Sequence, residues 1–164
     1  MSRVTRIELF KENFKFSSGH FTIFSATDRE NMHGHNFTVH AAFDARVEDN
    51  GMIFDYGLAK KHIEVLCKSL NEYFLLPAHS KHIRIEEKED YTYVHFNKEK
   101  IPFLKRDIKI LPVENITLED LSDYFVREFV REFIEKQGYP LLYVEMKLFS
   151  GPGQSASAAW KKEA

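Results

Sequence analysis

Cysteine is nearly absent from this chain of 164 residues, which contains one, Cys67. A single cysteine excludes an internal disulfide framework and a cysteine-based zinc finger. The 7 glycines and 5 prolines leave little material for long linkers, and the chain has no internal repeat and no low-complexity tract. We therefore expect residues 1–164 to form a single domain.

Neither sign of charge predominates, because the 23 Lys and Arg residues nearly balance the 25 Asp and Glu residues and give a formal net charge of −2. This balance, without basic clusters, argues against a nucleic-acid binder or a protein that binds anionic membranes. No apolar run approaches the ~20 residues that a membrane helix requires. The N-terminal residues have no signal-peptide core. These absences predict a cytoplasmic, reduced and soluble protein.

Aromatic residues and histidines, in contrast, are plentiful. The chain has 15 Phe, and 43% of its residues are hydrophobic, which is ample for a core and makes disorder a poor description. The 8 histidines beside a single cysteine are the unusual count.

The hydrophobic pattern predicts the order strand, strand, helix, insertion, helix, strand. Aromatic and β-branched residues predict a first strand over 6–16. Strict alternation from His33 to Val47 predicts a second strand with one apolar face, and Asn50-Gly51 predicts a turn after it. Residues 142–149 are predicted to form the final strand, followed by a polar, glycine-rich loop over 150–157.

Two amphipathic helices are predicted. Asp55 is the predicted N-cap of the first, which runs to about residue 73 and is ended by Pro77. Its apolar stripe consists of Ala59, Ile63, Leu66, Cys67, Leu70 and Phe74. Thr117 is the predicted cap of the second helix, which stops at Gly138 and Pro140. Its buried face consists of Leu118, Leu121, Phe125, Phe129 and Phe133. Between the helices, segments 83–87 and 91–96 predict a hairpin.

Three histidines form the most informative constellation. His33 and His35 are two residues apart in the second predicted strand, so both imidazoles project from the same face. His20 lies upstream, where an adjacent antiparallel strand would present it to the same point. Three neutral imidazoles can hold a divalent ion and leave one position open, which is typical of a catalytic zinc site. The alternative is an incidental His-x-His in a strand, and spacing alone leaves both open.

The other histidines are predicted to have no ligand role. His40 has the opposite parity to His35 and is expected to point away. His62 falls between the stripe positions of the first helix and is expected on the surface. The three remaining histidines are expected in loops or at edges: His79, His82 and His95.

Five short motifs follow one another along the chain: residues 16–20 (FSSGH), 33–37 (HGHNF), 51–56 (GMIFDY), 70–75 (LNEYFL) and 115–121 (NITLEDL). Their order and content resemble the 6-pyruvoyltetrahydropterin synthase / 6-carboxytetrahydropterin synthase family. The resemblance spans nearly the whole chain.

This resemblance implies an α+β tunnelling fold, in which a four-stranded antiparallel sheet carries two helices on one face. An inserted hairpin is expected in an insertion around 78–112, which the motifs do not cover. The family's subunits form trimers or hexamers, so a homotrimer or homohexamer is expected, and closure of the sheets removes exposed edges. The resemblance also implies zinc as the cofactor, held by His20, His33 and His35, and a reduced pterin with a hydroxylated side chain as the substrate.

The sequence departs from the family pattern at the catalytic base. The usual catalytic cysteine lies four residues before the His-Gly-His motif, where this chain has Arg29. Glu30 lies three residues before His33 and matches the Glu-x-x-His-Gly-His variant, in which a carboxylate takes the role of the base. The alternative for Glu30 is a solvated loop acid.

A second departure affects the family's Asp-His dyad, whose positions hold Asn71 and Glu72 here. Asn71 cannot titrate. Glu72 can act as an acid or base, and His79 is near enough in sequence to substitute. The alternative is that both are ordinary residues beyond a helix end.

A third departure affects the carboxylate that faces the guanidine-like edge of the pterin. Some relatives carry this Glu where the chain has Ser150. Glu119, aided by Thr117, is the best remaining candidate, and Gln154 in the glycine-rich loop can also read a pterin edge. The alternative for Glu119 is a helix N-terminal acid that complements the dipole.

Together these residues predict a zinc-dependent lyase that acts on dihydroneopterin triphosphate or a related pterin. The Glu variant favours side-chain cleavage to a 6-hydroxymethyl pterin over phosphate elimination, and formation of 6-carboxytetrahydropterin is the other outcome common in the family. Two alternatives stay open. One is a protein that binds a pterin or another heterocycle with lost or changed catalysis, and the other is a zinc-free structural module.

Overall fold

The computed structural model describes residues 3–163. In chain order the elements of this part are β1 (Val4–Leu9), β2 (Lys15–His20), β3 (His33–Arg46), α1 (Tyr56–Leu70), β4 (Phe74–Pro77), β5 (Ile83–Lys88), β6 (Tyr91–Phe96), β7 (Glu99–Leu104), β8 (Ile108–Leu111), α2 (Leu118–Phe129), β9 (Leu141–Phe149) and β10 (Ser155–Lys161). No helix within these residues is long and apolar enough to cross a membrane.

One sheet of seven strands forms the centre of the α+β fold. Its order is β10-β9-β3-β2-β4-β8, and β1 pairs with β3 beside this path. The run β10-β9-β3-β2 is antiparallel throughout and corresponds to the expected four-stranded sheet. The sheet has more strands than the four expected. β4 and β8 add parallel pairs beyond β2, and β1 pairs with the second half of β3.

The long strand β3 organises this sheet because two strands share one of its sides. β2 pairs with residues 33–38, and β1 pairs with residues 41–46. The predicted single strand over 6–16 is therefore wrong. A turn separates β1 from β2, with the Phe14 N–H donating to the Lys11 carbonyl at 2.9 Å. Aromatic residues continue through this turn, so composition did not reveal it.

Both helices pack on the same face of the sheet, as predicted. The inward residues of β3 and the apolar faces of α1 and α2 belong to one buried cluster. Within it Phe16 stacks on Phe37 and Phe125, with ring centroids 4.9 and 5.8 Å apart. Both predicted N-caps are confirmed, since Asp55 accepts from the Gly57 N–H at 2.8 Å and Thr117 from the Asp120 N–H at 3.2 Å.

The end of α1 was predicted incorrectly. The helix stops at Leu70 rather than near residue 73, and Pro77 lies in β4 instead of ending the helix. Phe74 also belongs to β4 and not to the helix stripe. The reason is a turn in which the Glu72 N–H donates to the Ser17 carbonyl at 2.7 Å, which draws the chain back to the sheet.

The C-terminal elements also differ from expectation. The second helix ends before Gly138, where φ is 73°, as predicted, but its last part, Val130–Lys136, is π-helical. β9 is not the final strand, because β10 follows after residue 154 and pairs with it. The predicted loop over 150–157 thus ends early. β10 contains mainly serine and alanine, which carry little strand signal.

The segment between β4 and β8 forms a separate antiparallel sheet, β5-β6-β7. The expected hairpin is present as β5 and β6, but a third strand, β7, was missed. Pro102 within β7 weakens the strand pattern there. Buried side chains of this sheet and of its neighbours form a second apolar cluster: Phe21, Ile23, Leu76, Val94, Phe96, Ile101 and Ile108.

Candidate active site

Three histidines converge where β2 and β3 meet. The antiparallel register pairs His20 with His33 and Ser18 with His35. The ring centroids lie 4.5 Å apart for His20 and His33, and 5.1 Å for His20 and His35. One ring nitrogen of each histidine lies within 4.8 Å of the others. The structure thus brings the predicted triad together.

Backbone carbonyls fix the orientation of two of these rings. Nδ1 of His20 lies 2.8 Å from the Ile116 carbonyl, and Nδ1 of His33 lies 2.8 Å from the Asn31 carbonyl. Because a carbonyl oxygen only accepts, both Nδ1 atoms carry a hydrogen, and in a neutral imidazole with this tautomer Nε2 has a lone pair. This is the usual arrangement of histidines that bind a metal.

The donor atoms fit a divalent ion. Nε2 of His20 is buried and has no hydrogen-bond partner in the described residues, a costly state that an ion would relieve. Nε2 of His33 lies 3.0 Å from Nε2 of His35. Burial lowers the pKa of His20, and burial together with His33 lowers the pKa of His35. Both shifts favour the neutral, ligating form.

The opposite face of the sheet explains the glycine at position 19. Gly19 and Gly34 pair with each other between the histidines. A Cβ on Gly19 would lie 2.6 Å from the ring of Phe74. Phe74 can therefore pack against β2 here only because residue 19 is glycine.

Glu30 lies beside the histidines, in a short hairpin between β2 and β3 whose two arms pair at Ile23 and Arg29. The Thr22 N–H donates to Glu30 Oε2 at 2.9 Å, and the Glu30 N–H donates to the Thr22 carbonyl at 2.9 Å. Oε2 lies 3.9 Å from Nε2 of His33. Partial burial raises the pKa of Glu30, but the hydrogen bonds from Thr22 and the nearby imidazoles of His33 and His20 together lower it by more, so the net shift is downward. Glu30 is therefore a carboxylate at neutral pH.

A cavity of about 430 Å³ joins these groups to the second helix. This volume lies within the roughly 300–1,000 Å³ of small-molecule sites. The cavity is lined by His20, His35, Glu30, Thr117, Glu119 and Gln154, among others. The three predicted substrate-binding residues therefore share one cavity with Glu30 and with two members of the triad, His20 and His35. Gln154 donates to the Ser150 hydroxyl at 2.6 Å.

The other two predicted catalytic residues lie elsewhere. Glu72, with φ of 65°, lines a groove of about 500 Å³ that also contacts His35 and Asn36. His79 lines a third cavity with His82 and Lys81. Within the described chain, neither residue shares the cavity of Glu30.

Sequence reasoning missed one polar residue of the site, Thr22, whose backbone N–H donates to Glu30. Ser150, which the sequence marked only as the position of a lost glutamate, accepts a hydrogen bond from Gln154. Thr22 lies two residues after His20, and this spacing was its only signal. Asn71 has a structural role, because its Oδ1 accepts from the Ser17 N–H at 2.9 Å.

The remaining histidines and the cysteine lie away from the triad. The ring of His40 packs against that of Phe149, with centroids 4.7 Å apart and planes tilted by 51°. The expectation of a surface position for His62 is wrong, since its ring is partly buried against Phe129. His95 lies on the central strand β6, not at an edge, and its Nε2 is 2.6 Å from Glu86.

Burial raises the pKa of Cys67 to about 12, so this core residue is no thiolate at neutral pH.

Residues 8–158 match the family described as 6-pyruvoyl tetrahydropterin synthase. The chain belongs to this family. A family relative, a putative 6-carboxy-5,6,7,8-tetrahydropterin synthase of Methanocaldococcus jannaschii, is 26% identical over 144 residues, which is 87% of each chain. A second putative 6-carboxy-5,6,7,8-tetrahydropterin synthase, from Pyrococcus abyssi, is 22% identical and covers 84% of this chain and 81% of its own.

Solved structures of the family share the fold. The 6-pyruvoyltetrahydropterin synthase of Plasmodium vivax has a TM-score of 0.90 at 23% identity, covering 98% of this chain and 99% of that one. The enzyme of Caenorhabditis elegans has a TM-score of 0.61 at 14% identity, covering 98% and 97%. A variant of the Plasmodium vivax protein, with a glutamate replaced by alanine, is described as a catalytic-residue mutant. These likenesses establish the tunnelling-type fold predicted from the motifs.

Proposed function

We propose that this protein is a zinc-dependent lyase that acts on dihydroneopterin triphosphate or a closely related pterin, with Glu30 as its acid–base group. The observation that carries the proposal is the Glu30 carboxylate 3.9 Å from the triad in a cavity of suitable size. Family membership supports a pterin substrate. The catalytic glutamate reported for the Plasmodium vivax protein supports a carboxylate in this role.

His20, His33 and His35 would hold the ion, because one ring nitrogen of each lies within 4.8 Å of the others. When bound there, a zinc ion supplies a Lewis acid that polarises the hydroxyl oxygens of the substrate side chain and acidifies the neighbouring hydrogens. Glu30, ionised and fixed by Thr22, accepts the proton that leaves the side chain. It returns that proton to the product in a later step.

Thr117, Glu119 and Gln154 would orient the ring system. Glu119 lies in the first turn of α2, at the cavity wall. Two parallel N–H donors on the guanidine-like edge of a pterin match the two oxygens of one carboxylate. Gln154 can add a hydrogen bond at the same side. In this proposal Glu72 and His79 have secondary roles, since they line other cavities.

The experiment combines metal content with turnover on one sample. Elemental analysis should find stoichiometric zinc, and dihydroneopterin triphosphate should give a product with a cleaved side chain. Glu30→Gln should lose at least about 100-fold in kcat, the lower range for removal of an acid–base group, with zinc retained. Asp28→Asn is the matched control, because it removes a carboxylate from the exposed tip of the same hairpin. Full turnover in Glu30→Gln would contradict the role of Glu30.

A divergent binding protein is the second candidate, and Asn71 and Ser150 favour it. These residues stand where the family pattern has an acid–base aspartate and a pterin-binding glutamate, and both engage in structural hydrogen bonds here. Stoichiometric zinc and pterin binding without product would support this candidate. Absence of zinc from the purified protein would support a structural module.

A further inference from the structure

Arg29 joins the Glu30 hairpin to the separate sheet β5-β6-β7. Its Nε and Nη2 donate to Oε2 of Glu99 at 2.9 and 2.6 Å, and Glu99 opens strand β7. Its Nη1 donates to the carbonyl oxygen of Glu30 at 2.7 Å. One guanidinium group therefore contacts the next residue of the hairpin, Glu30, and a residue 70 positions along the chain.

The guanidinium group is also held by aromatic rings. It lies 5.0 Å from the ring centroid of Phe21 and 5.7 Å from that of Phe96, within the distance of a cation–π contact. Phe21 belongs to the hairpin and Phe96 to β6, and both are buried in the second apolar cluster. The Arg29 side chain is only 14% exposed, whereas the Glu99 side chain is 52% exposed, so the ion pair is shielded from solvent on the arginine side and open on the glutamate side.

These contacts complete the support of the hairpin. Its first arm is tied to the segment before α2, because Asn115 makes two hydrogen bonds with the backbone of Ile23, at 3.1 and 2.9 Å. The two arms pair at Ile23 and Arg29. The second arm carries Glu30, and Arg29 connects this arm to the separate sheet through its hydrogen bonds to Glu99.

We propose that Arg29 is a positioning residue, which uses Glu99 of the separate sheet to hold the Glu30 backbone at the histidine triad. This inference rests on the proposed function for the role of Glu30. It assigns a purpose to the additional sheet, which provides the carboxylate that anchors the second arm. Lysine cannot substitute fully, because its ammonium lacks the planar fork that reaches Glu99 and the Glu30 carbonyl together.

The test uses Glu99→Ala, which removes the anchor at a distance from the cavity. Glu87→Ala is the matched control, because Glu87 is an exposed carboxylate of β5 in the same sheet. Amide hydrogen exchange of residues 21–32 is measured on the full chain, followed by kcat and KM with dihydroneopterin triphosphate. Glu99→Gln serves as a second variant that preserves the side-chain shape.

In Glu99→Ala, exchange across residues 21–32 should accelerate about tenfold. The value of kcat should fall by about tenfold, since small displacements of a catalytic group cost rate, whereas KM should stay within about twofold. Arg29→Lys should show the same effects to a smaller degree, and Glu87→Ala neither. A purely structural role would lower Tm without this split between kcat and KM.

Unchanged exchange in Glu99→Ala and Glu99→Gln would overturn the inference, as would faster exchange with unchanged kcat. Failure of the proposed function has a different signature. Full turnover in Glu30→Gln would remove the catalytic role of Glu30, while the exchange rates would still decide whether Glu99 holds the hairpin.

Discussion

His20 and His33 are direct partners in the antiparallel ladder of β2 and β3, and their ring centroids lie 4.5 Å apart. The triad therefore depends on strand register. A slip of one residue would turn the histidines of one strand to the opposite face. Gly19 and Gly34, which pair next to the histidines, lie on that opposite face, where a Cβ on Gly19 would collide with Phe74.

Substitution of one triad member should abolish metal binding. His33→Ala removes one of three nitrogens that lie within 4.8 Å of one another, and the two that remain are too few for a stable zinc site. Elemental analysis after dialysis should find a small fraction of the wild-type metal. His40→Ala on the other face of β3 should retain full metal content, and a metal-replete His33→Ala would contradict the assignment.

Removal of the metal should destabilise the fold. Nε2 of His20 is buried without a partner in the described residues, and an ion that binds only the folded state stabilises it by mass action. At a free concentration of about 100 Kd this contribution is about 2.7 kcal/mol. For a chain of this size, chelation should lower Tm by roughly 5–10 °C. The Tm of His33→Ala should not respond to the chelator, and an unchanged wild-type Tm would refute the prediction.

The sequence predicted the elements whose physical signals are local. Alternation along residues 33–47 marked β3, and the side chains of Asp55 and Thr117 marked the helix starts because an N-cap needs an oxygen at that position. Elements with weak local signals were missed. β7 contains a proline and β10 contains small residues, and both form because a neighbouring strand offers a ladder to complete.

The residues of the site follow the same rule, because those with a local sequence signal were predicted and the groups that hold them were not. Strand parity placed His33 and His35 on one face, and the family motifs added Glu30 and Glu119. The groups that hold these side chains in place belong to segments far apart in the sequence, so the spacing of residues along the chain does not reveal them. The Ile116 carbonyl that orients His20 is 96 residues away, and Glu99 is 70 residues from Arg29.

Cys67 should be unreactive in the folded protein and should make the free energy of unfolding depend on pH in the alkaline range. Its pKa rises from 9.0 to about 12 because of burial. The folded state therefore binds the thiol proton more tightly than the unfolded state does. The resulting stabilisation is complete below pH 9 and is lost as the pH rises toward 12.

Thiol labelling at pH 8 should be negligible until the protein is denatured, and the free energy of unfolding should fall between pH 9 and 11. Cys67→Ala should show a shallower fall over that range, although its stability at pH 7 is lower. Rapid labelling of the native protein would contradict the buried, protonated state.

A comparison of variants at the two helix caps should distinguish an effect on stability from an effect on substrate binding. Thr117→Ala and Asp55→Ala each remove an oxygen that accepts a backbone N–H at the start of a helix. Each should lower the free energy of unfolding by about 1 kcal/mol, measured by urea denaturation. Thr117 lies on the cavity wall beside Glu119, whereas Asp55 is not among the cavity residues.

Thr117→Ala should therefore also raise KM for the pterin, by about tenfold if a hydrogen bond of about 1.4 kcal/mol to the ring system is lost. Asp55→Ala should leave KM unchanged. Equal KM values in the two variants would show that Thr117 acts only as a cap, and the orientation of the ring would then depend on Glu119 and Gln154. Because both variants lose similar stability, a change in KM confined to Thr117→Ala cannot arise from general destabilisation of the fold.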